Sequence, residues 1–217
     1  MLEADEDLNA MLLELCVPGT ALRQLPESKQ DVIIAGLLRR LWRIPSAPHP
    51  FRPLSAMTAR WTAETIADKE KWPDEGLVQA GLRLFEELSR SAPDDVLLAT
   101  DLHAGNVLRA QRAPWLVIDP KPFVGDAAYD ATQHLFNCEA RVRAAPETTI
   151  RRFADLLEIA HERVRLWMFA RSAAEPRDIW DDESNALAKG SILSTAGAAQ
   201  QSLQATAQSR WAVPDSA

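Results

Sequence analysis

The sequence predicts a mainly α-helical fold carrying a small β-hairpin. Long segments repeat apolar residues at helical spacing, as in SKQDVIIAGLLRRLWR and DEGLVQAGLRLFEELSR. Between residues 95 and 119 the pattern shortens into apolar runs of strand length, DVLLAT, NVLR and WLVID. Prolines and short polar runs separate these pieces, and no internal repeat is present.

Taken in order, MLLELC at 11–16 is a short apolar run that VPGT breaks with a Pro-Gly turn, and it reads as a strand or a helix end. In the next segment Val32, Ile33, Leu37, Leu38, Leu41 and Trp42 recur at helical spacing, with Ser28 as the candidate N-cap. The proline-rich link IPSAPHPFRP stops that helix and holds the chain extended. A weaker helix, AMTARWTAETIADKEKW, ends at Pro73. The following one places Leu77, Val78, Leu82, Phe85 and Leu88 on one face, with Asp74 at its start. DVLLAT is then a strand, and NVLR, a turn over AQRAP, and WLVID form the hairpin. Beyond Tyr129 the helical stripe returns in three segments, YDATQHLFNCEARVR, PETTIRRFADLLEIA and ERVRLWMFARSAAE. Residues 181–217 are rich in Ala, Ser, Thr and Gln and are expected to be a weakly packed or disordered tail.

The bulk composition narrows the function. A chain of 217 residues, 47% hydrophobic and 25% charged, can bury its own core. The net charge of −7 argues against nucleic acid and suits a cationic small molecule. Cys16 and Cys138 lie far apart, giving neither a disulfide framework nor a zinc site. No apolar run is long enough to span a membrane and the start is acidic, so the expected location is cytoplasmic.

The chemistry concentrates in LLATDLHAGNVLRAQRAPWLVIDPKPFVGDAAYD. Phosphoryl transfer to a hydroxyl needs a carboxylate to orient the hydroxyl and take its proton, together with oxygen ligands for Mg²⁺. Asp101 follows a strand, Asn106 opens the hairpin and Asp119 closes it, so the hairpin brings Asn106 and Asp119 side by side with Asp101 across the loop. One at a time, such residues are ordinary turn chemistry. Their joint order and spacing are not. Lys121 is close enough to contact phosphate and equally able to reach solvent. His49 and His134 read as structural, and Trp42, Trp61, Trp115 and Trp167 as core. Asp130, Glu139, Glu175 and Asp178 read as solvated helix faces that could line a pocket for a cationic sugar.

DLHAGN at 101–106 with VIDPKPFVGDAAYD at 117–130 resembles the aminoglycoside phosphotransferase family, in its streptomycin 6-phosphotransferase and hydroxyurea resistance kinase branch. AGLLRRLW, HPFRPLS and RLWMFARSAAE extend the resemblance from about Met11 to Trp180. It implies a protein-kinase-like fold that uses ATP and Mg²⁺ to phosphorylate a small hydroxylated antibiotic or similar molecule. Asp101 is then the base and His103 orients its loop. Asn106 and Asp119 are the metal ligands, and Asp126 braces nearby loops. The backbone of Glu14, Leu15 and Cys16 meets the adenine. Ala99-Thr100 stands where the wider family has His-Gly. About ten residues precede MLLELC, no G-x-G occurs, and none of Lys29, Lys69, Lys71, Lys121 and Lys189 lies upstream of it. On this reading residues 1–20 are a remnant hinge segment and 21–180 a kinase-like C-terminal lobe without its N-terminal partner. The alternative function is then an idle lobe that binds a ligand or partner, or self-associates through the apolar face so left.

Overall fold

Local periodicity builds seven helices and seven short strands among the described residues of the computed structural model, which are 3–5, 7–8, 10–72 and 74–174. Two three-residue strands, β1 (Glu3–Asp5) and β2 (Ala10–Leu12), pair antiparallel with Ala4 opposite Met11. Residues 13–20 are irregular and lead into a single 3-10 turn over Leu22–Gln24.

Helix α1 (Glu27–Leu41) begins one residue before Ser28 and has no side-chain cap; Pro26 presets the entry instead. Its buried stripe is Gln30, Asp31, Ile34, Ala35 and Leu38, so Val32 faces outward. Ile33, Leu37, Leu41 and Trp42 pack against the core beside Leu38 as their spacing predicts, and the stripe widens to take in the polar Gln30 and Asp31. Strand β3 (Arg52–Pro53) leads directly into α2 (Leu54–Ala67). Helix α3 (Glu75–Arg90) is capped by Asp74, whose carboxylate accepts from Leu77 N at 2.9 Å.

Strand β4 (Asp95–Leu98) and the hairpin β5 (Val107–Arg109) and β6 (Trp115–Val117) fall where the apolar runs placed them. A further strand, β7 (Phe123–Asp126), was not anticipated. It is the middle of a three-stranded sheet, antiparallel to β4 and parallel to β3. Its FVGD lacks β-branched alternation, and all four residues are buried, so period-two patterning is invisible.

Helices α4 (Ala127–Phe136), α5 (Glu139–Ala144), α6 (Pro146–Leu157) and α7 (His161–Ala174) complete the described chain. The segment expected as one helix from Tyr129 breaks at Asn137-Cys138. The most extensive helix packing joins α3 to α7, where Gly81 lets the backbones close: a Cβ there would lie 2.3 Å from the Cβ of Ala173. Trp167 is the hub of the core, with the rings of Phe85 and Tyr129 edge-on to it at 5.7 and 5.1 Å. The expected tail at 181–217, with Glu175, Asp178 and Trp180, lies outside the described residues.

Candidate active site

The loop after β4 is anchored by alternation. Leu102, Ala104 and Val107 are buried while Asp101, His103, Gly105 and Asn106 between them are not fully so, and the chain thereby turns its polar groups to the outside. The backbone N of Arg23 donates to Ala104 O at 3.0 Å and ties the loop to the 3-10 turn.

Within the loop His103 folds back so that its Nδ1 accepts from Gly105 N at 3.0 Å. That contact explains Gly105: an added Cβ would meet the imidazole at 2.7 Å. His103 is partly exposed, not buried as a loop organiser would be expected to be. The Asn106 amide donates Nδ2–H to the carbonyl of Asp101 at 3.1 Å, which leaves its Oδ1 directed elsewhere. Ile118 N donates to Asn106 O at 2.9 Å, extending the hairpin register by one step so that Asp119 directly follows the residue paired with Asn106. Asp119 is exposed.

Lys121 reaches across to the base candidate. Its Nζ is 2.5 Å from Asp101 Oδ2, and Asp101 first, with Asp119 assisting, raises the ammonium's pKa against the opposing effect of burial. The main chain beneath it is pinned, since Lys121 N donates to Ala99 O at 3.0 Å and Thr100 Oγ1 donates to Lys121 O at 2.6 Å. The two loops are thus joined by backbone as well as by charge.

Both loops carry left-handed non-glycine residues, Thr100 at φ 54° and Asp119 at φ 50°. For a β-branched residue this conformation is strained and must be imposed by its surroundings. The imposing group is Asp130 on α4. Its carboxylate accepts from Thr100 N at 2.7 Å, Ala99 N at 2.9 Å and Trp42 Nε1 at 3.1 Å. Asp130 is buried, not a solvated helix face, and burial pushes its pKa up to about 6 against the pull of those donors. Asp130 is the residue that sequence reasoning missed. The signal was an ionisable side chain inside the small-apolar run AAYDA, whose neighbours on both sides are buried.

Asp126 caps α4 through Ala128 N at 3.0 Å and accepts from Trp167 Nε1 and Arg163 Nε, both at 2.5 Å. It therefore braces α7 against the β7–α4 junction. Glu14, in the irregular stretch after β2, pairs with Arg112 of the hairpin turn at 2.5 Å, while Leu15 is 83% exposed and Cys16 is half-buried. Gly19 N donates to Arg109 O and Arg109 N to Thr20 O, at 3.1 and 2.9 Å, so this stretch runs alongside β5. Glu14, Leu15 and Cys16 therefore flank the hairpin that carries Asn106 and Asp119. Glu139 is in a helical ion pair with Arg143.

Away from this site, Asp31, His134 and Cys138 converge in the core. Arg141 already satisfies Asp31 with two bonds of 2.6 and 2.8 Å, and His134 Nε2 is 2.9 Å from the same carboxylate. Burial alone would raise the Asp31 pKa, but these partners outweigh it and hold it down at about 2. Burial pushes the Cys138 thiol up to about 11. The cluster is an ion-pair tie between α1, α4 and α5.

Asp101, Asn106 and Asp119 thus lie on two cross-linked loops next to a hairpin, in a chain with a kinase-like fold. The fold is shared with choline kinase from Cryptosporidium parvum Iowa II, at a TM-score of 0.51 and 13% identity over 89% of this chain and 72% of that one. The chain belongs to the aminoglycoside/hydroxyurea antibiotic resistance kinase family, whose model matches residues 1–183. It is 33% identical to streptomycin 6-kinase of Streptomyces griseus, over 84% of this chain and 62% of the relative. It is 35% identical to hydroxyurea phosphotransferase of Kitasatospora aureofaciens, over 63% of this chain and 42% of the relative. The chain thus spans less than two thirds of the length of these relatives. Among the described residues no helix is long and apolar enough to cross a membrane.

Proposed function

We propose that the chain carries the catalytic site of an ATP-dependent O-phosphotransferase acting on a hydroxyl of a streptomycin-like aminoglycoside or a similar small hydroxylated molecule. The observation that supports this reading is the tie between the two loops that bear Asp101, Asn106 and Asp119, made by Lys121 N to Ala99 O, Thr100 Oγ1 to Lys121 O and Asn106 Nδ2 to Asp101 O. Asp101 orients the acceptor hydroxyl and receives its proton. The hydroxyl oxygen attacks the γ-phosphorus, and the bond to the bridging oxygen breaks with its electron pair leaving on ADP. Asn106 and Asp119 offer an amide oxygen and an exposed carboxylate, a donor set suited to a hard cation such as Mg²⁺. Bound there, Mg²⁺ would supply neutralising charge for the phosphates. On this reading the backbone at Glu14–Cys16, which flanks the hairpin through the Glu14–Arg112 pair, meets the nucleotide base. Most of the rate would come from positioning and electrostatics.

The test is Mg²⁺-dependent nucleotide binding by the 217-residue chain, followed by turnover with streptomycin. Asp101→Ala is expected to lower turnover by about 10²–10⁴-fold. Full activity in that variant would remove Asp101 as the base. A second reading, a lobe that binds a ligand or partner without catalysis, draws on the apolar stretch around β2. Leu8, Met11, Leu12, Leu13 and Leu15 are all more than half exposed there. Absence of nucleotide binding at millimolar concentration would favour it.

A further inference from the structure

The Lys121–Asp101 pair has a consequence for how the two substrates meet. A carboxylate held 2.5 Å from an ammonium is a weaker base toward an acceptor hydroxyl than an unpaired one, so opening the pair would ready Asp101 to take the proton. What opens it must be a more strongly charged partner for the ammonium. A terminal phosphoryl group beside Asn106 and Asp119 is such a partner.

Resting on the phosphotransferase reading above, we propose that Lys121 is a positioning residue that passes from Asp101 to the transferring phosphoryl group, coupling nucleotide binding to acceptor binding. The side chain is built as a lever with a fixed base. Pro122 restricts Lys121 to extended backbone, and the bonds to Ala99 and from Thr100 immobilise its main chain. Its tip meets solvent as well as Asp101: the side chain is 59% exposed on a flexible four-carbon stem. The loop bearing Asp101 is held from below by Asp130, so the base stays in place when the ammonium leaves. Exchange of one cation between two anionic groups makes nucleotide binding release the base. By reciprocity, acceptor binding then favours nucleotide.

The experiment measures streptomycin affinity by calorimetry with and without saturating Mg²⁺ and a non-hydrolysable ATP analogue. Wild type, Lys121→Met and Lys121→Arg are compared, together with turnover of wild type and Asp101→Ala. The wild type is expected to bind streptomycin about tenfold more tightly with the analogue, a typical coupling between two sites. Lys121→Met is expected to bind it equally with and without, while still binding the analogue, and Lys121→Arg to recover part of the difference. An undiminished ratio in Lys121→Met overturns the proposal. If Asp101→Ala has lost turnover in that case, only the role of Lys121 falls. If the wild type does not bind the analogue, or Asp101→Ala keeps its turnover, the phosphotransferase reading falls and this inference with it.

Discussion

Asp130 shows how one buried carboxylate can decide the shape of a functional loop. Three N–H groups converge on it, two of them from the residues just before Asp101, and Thr100 accepts a left-handed backbone in return. Its folded pKa of about 6 lies above the ordinary value of 3.8. Between those values the native state keeps a proton that the unfolded chain releases. Its stabilising contribution is therefore full below pH 3.8 and is lost as pH rises through 6. Over that window the loss is on the order of 3 kcal/mol. Asp130→Asn is expected to flatten this slope in urea denaturation between pH 4 and 7. Its amide NH₂ would face N–H donors, so the variant should also lose about 1–3 kcal/mol at neutral pH. An unchanged slope would show that Asp130 does not titrate in this range. Thr100 and Asp130 were hidden from sequence reading for one reason. A strained backbone and the distant carboxylate that holds it leave no periodic trace.

At the level of elements, local patterning read well wherever one face of a segment is apolar and the other is not. Helix α3 shows it best, with Val78, Leu82, Phe85 and Leu88 buried as its stripe requires and Asp74 as its cap. The hairpin β5–β6 was equally legible, because its apolar runs are short and a polar turn separates them. Patterning failed where burial covers both faces, as in β7, and where polar side chains enter the core, as Asp31 does on α1. The loops that bear Asp101, Asn106 and Asp119 were legible, because the apolar runs fix where β4, β5 and β6 begin and end. The ion pair to Lys121 was not, since sequence spacing does not tell which way a long side chain turns. Contact between α3 and α7 depends on Gly81 having no side chain. Gly81→Ala would set two methyl groups against each other and force the helices apart, at a cost of about 1–3 kcal/mol. A loss below 0.5 kcal/mol by chemical denaturation would show that the pair relaxes freely.

For the whole molecule, one continuous apolar cluster joins the 3-10 turn, all seven helices except the exposed faces, and the loop that carries the site. The active loop is thus a surface feature of the main core and should unfold with it. Among the described residues, Leu8, Met11, Leu12, Leu13 and Leu15 make an exposed apolar stretch outside this cluster. If they associate, the chain should sediment as larger species with rising concentration. Replacing Leu13 and Leu15 by Ser is then expected to restore the monomer at tens of micromolar. A monomer at every concentration in the parent chain would contradict that. The indole of Trp42 shares the Asp130 carboxylate with the backbone ahead of Asp101. Its ring N–H is thereby a native spectroscopic probe, one magnetic resonance signal that reports the posture of the loop bearing Asp101 with no added label.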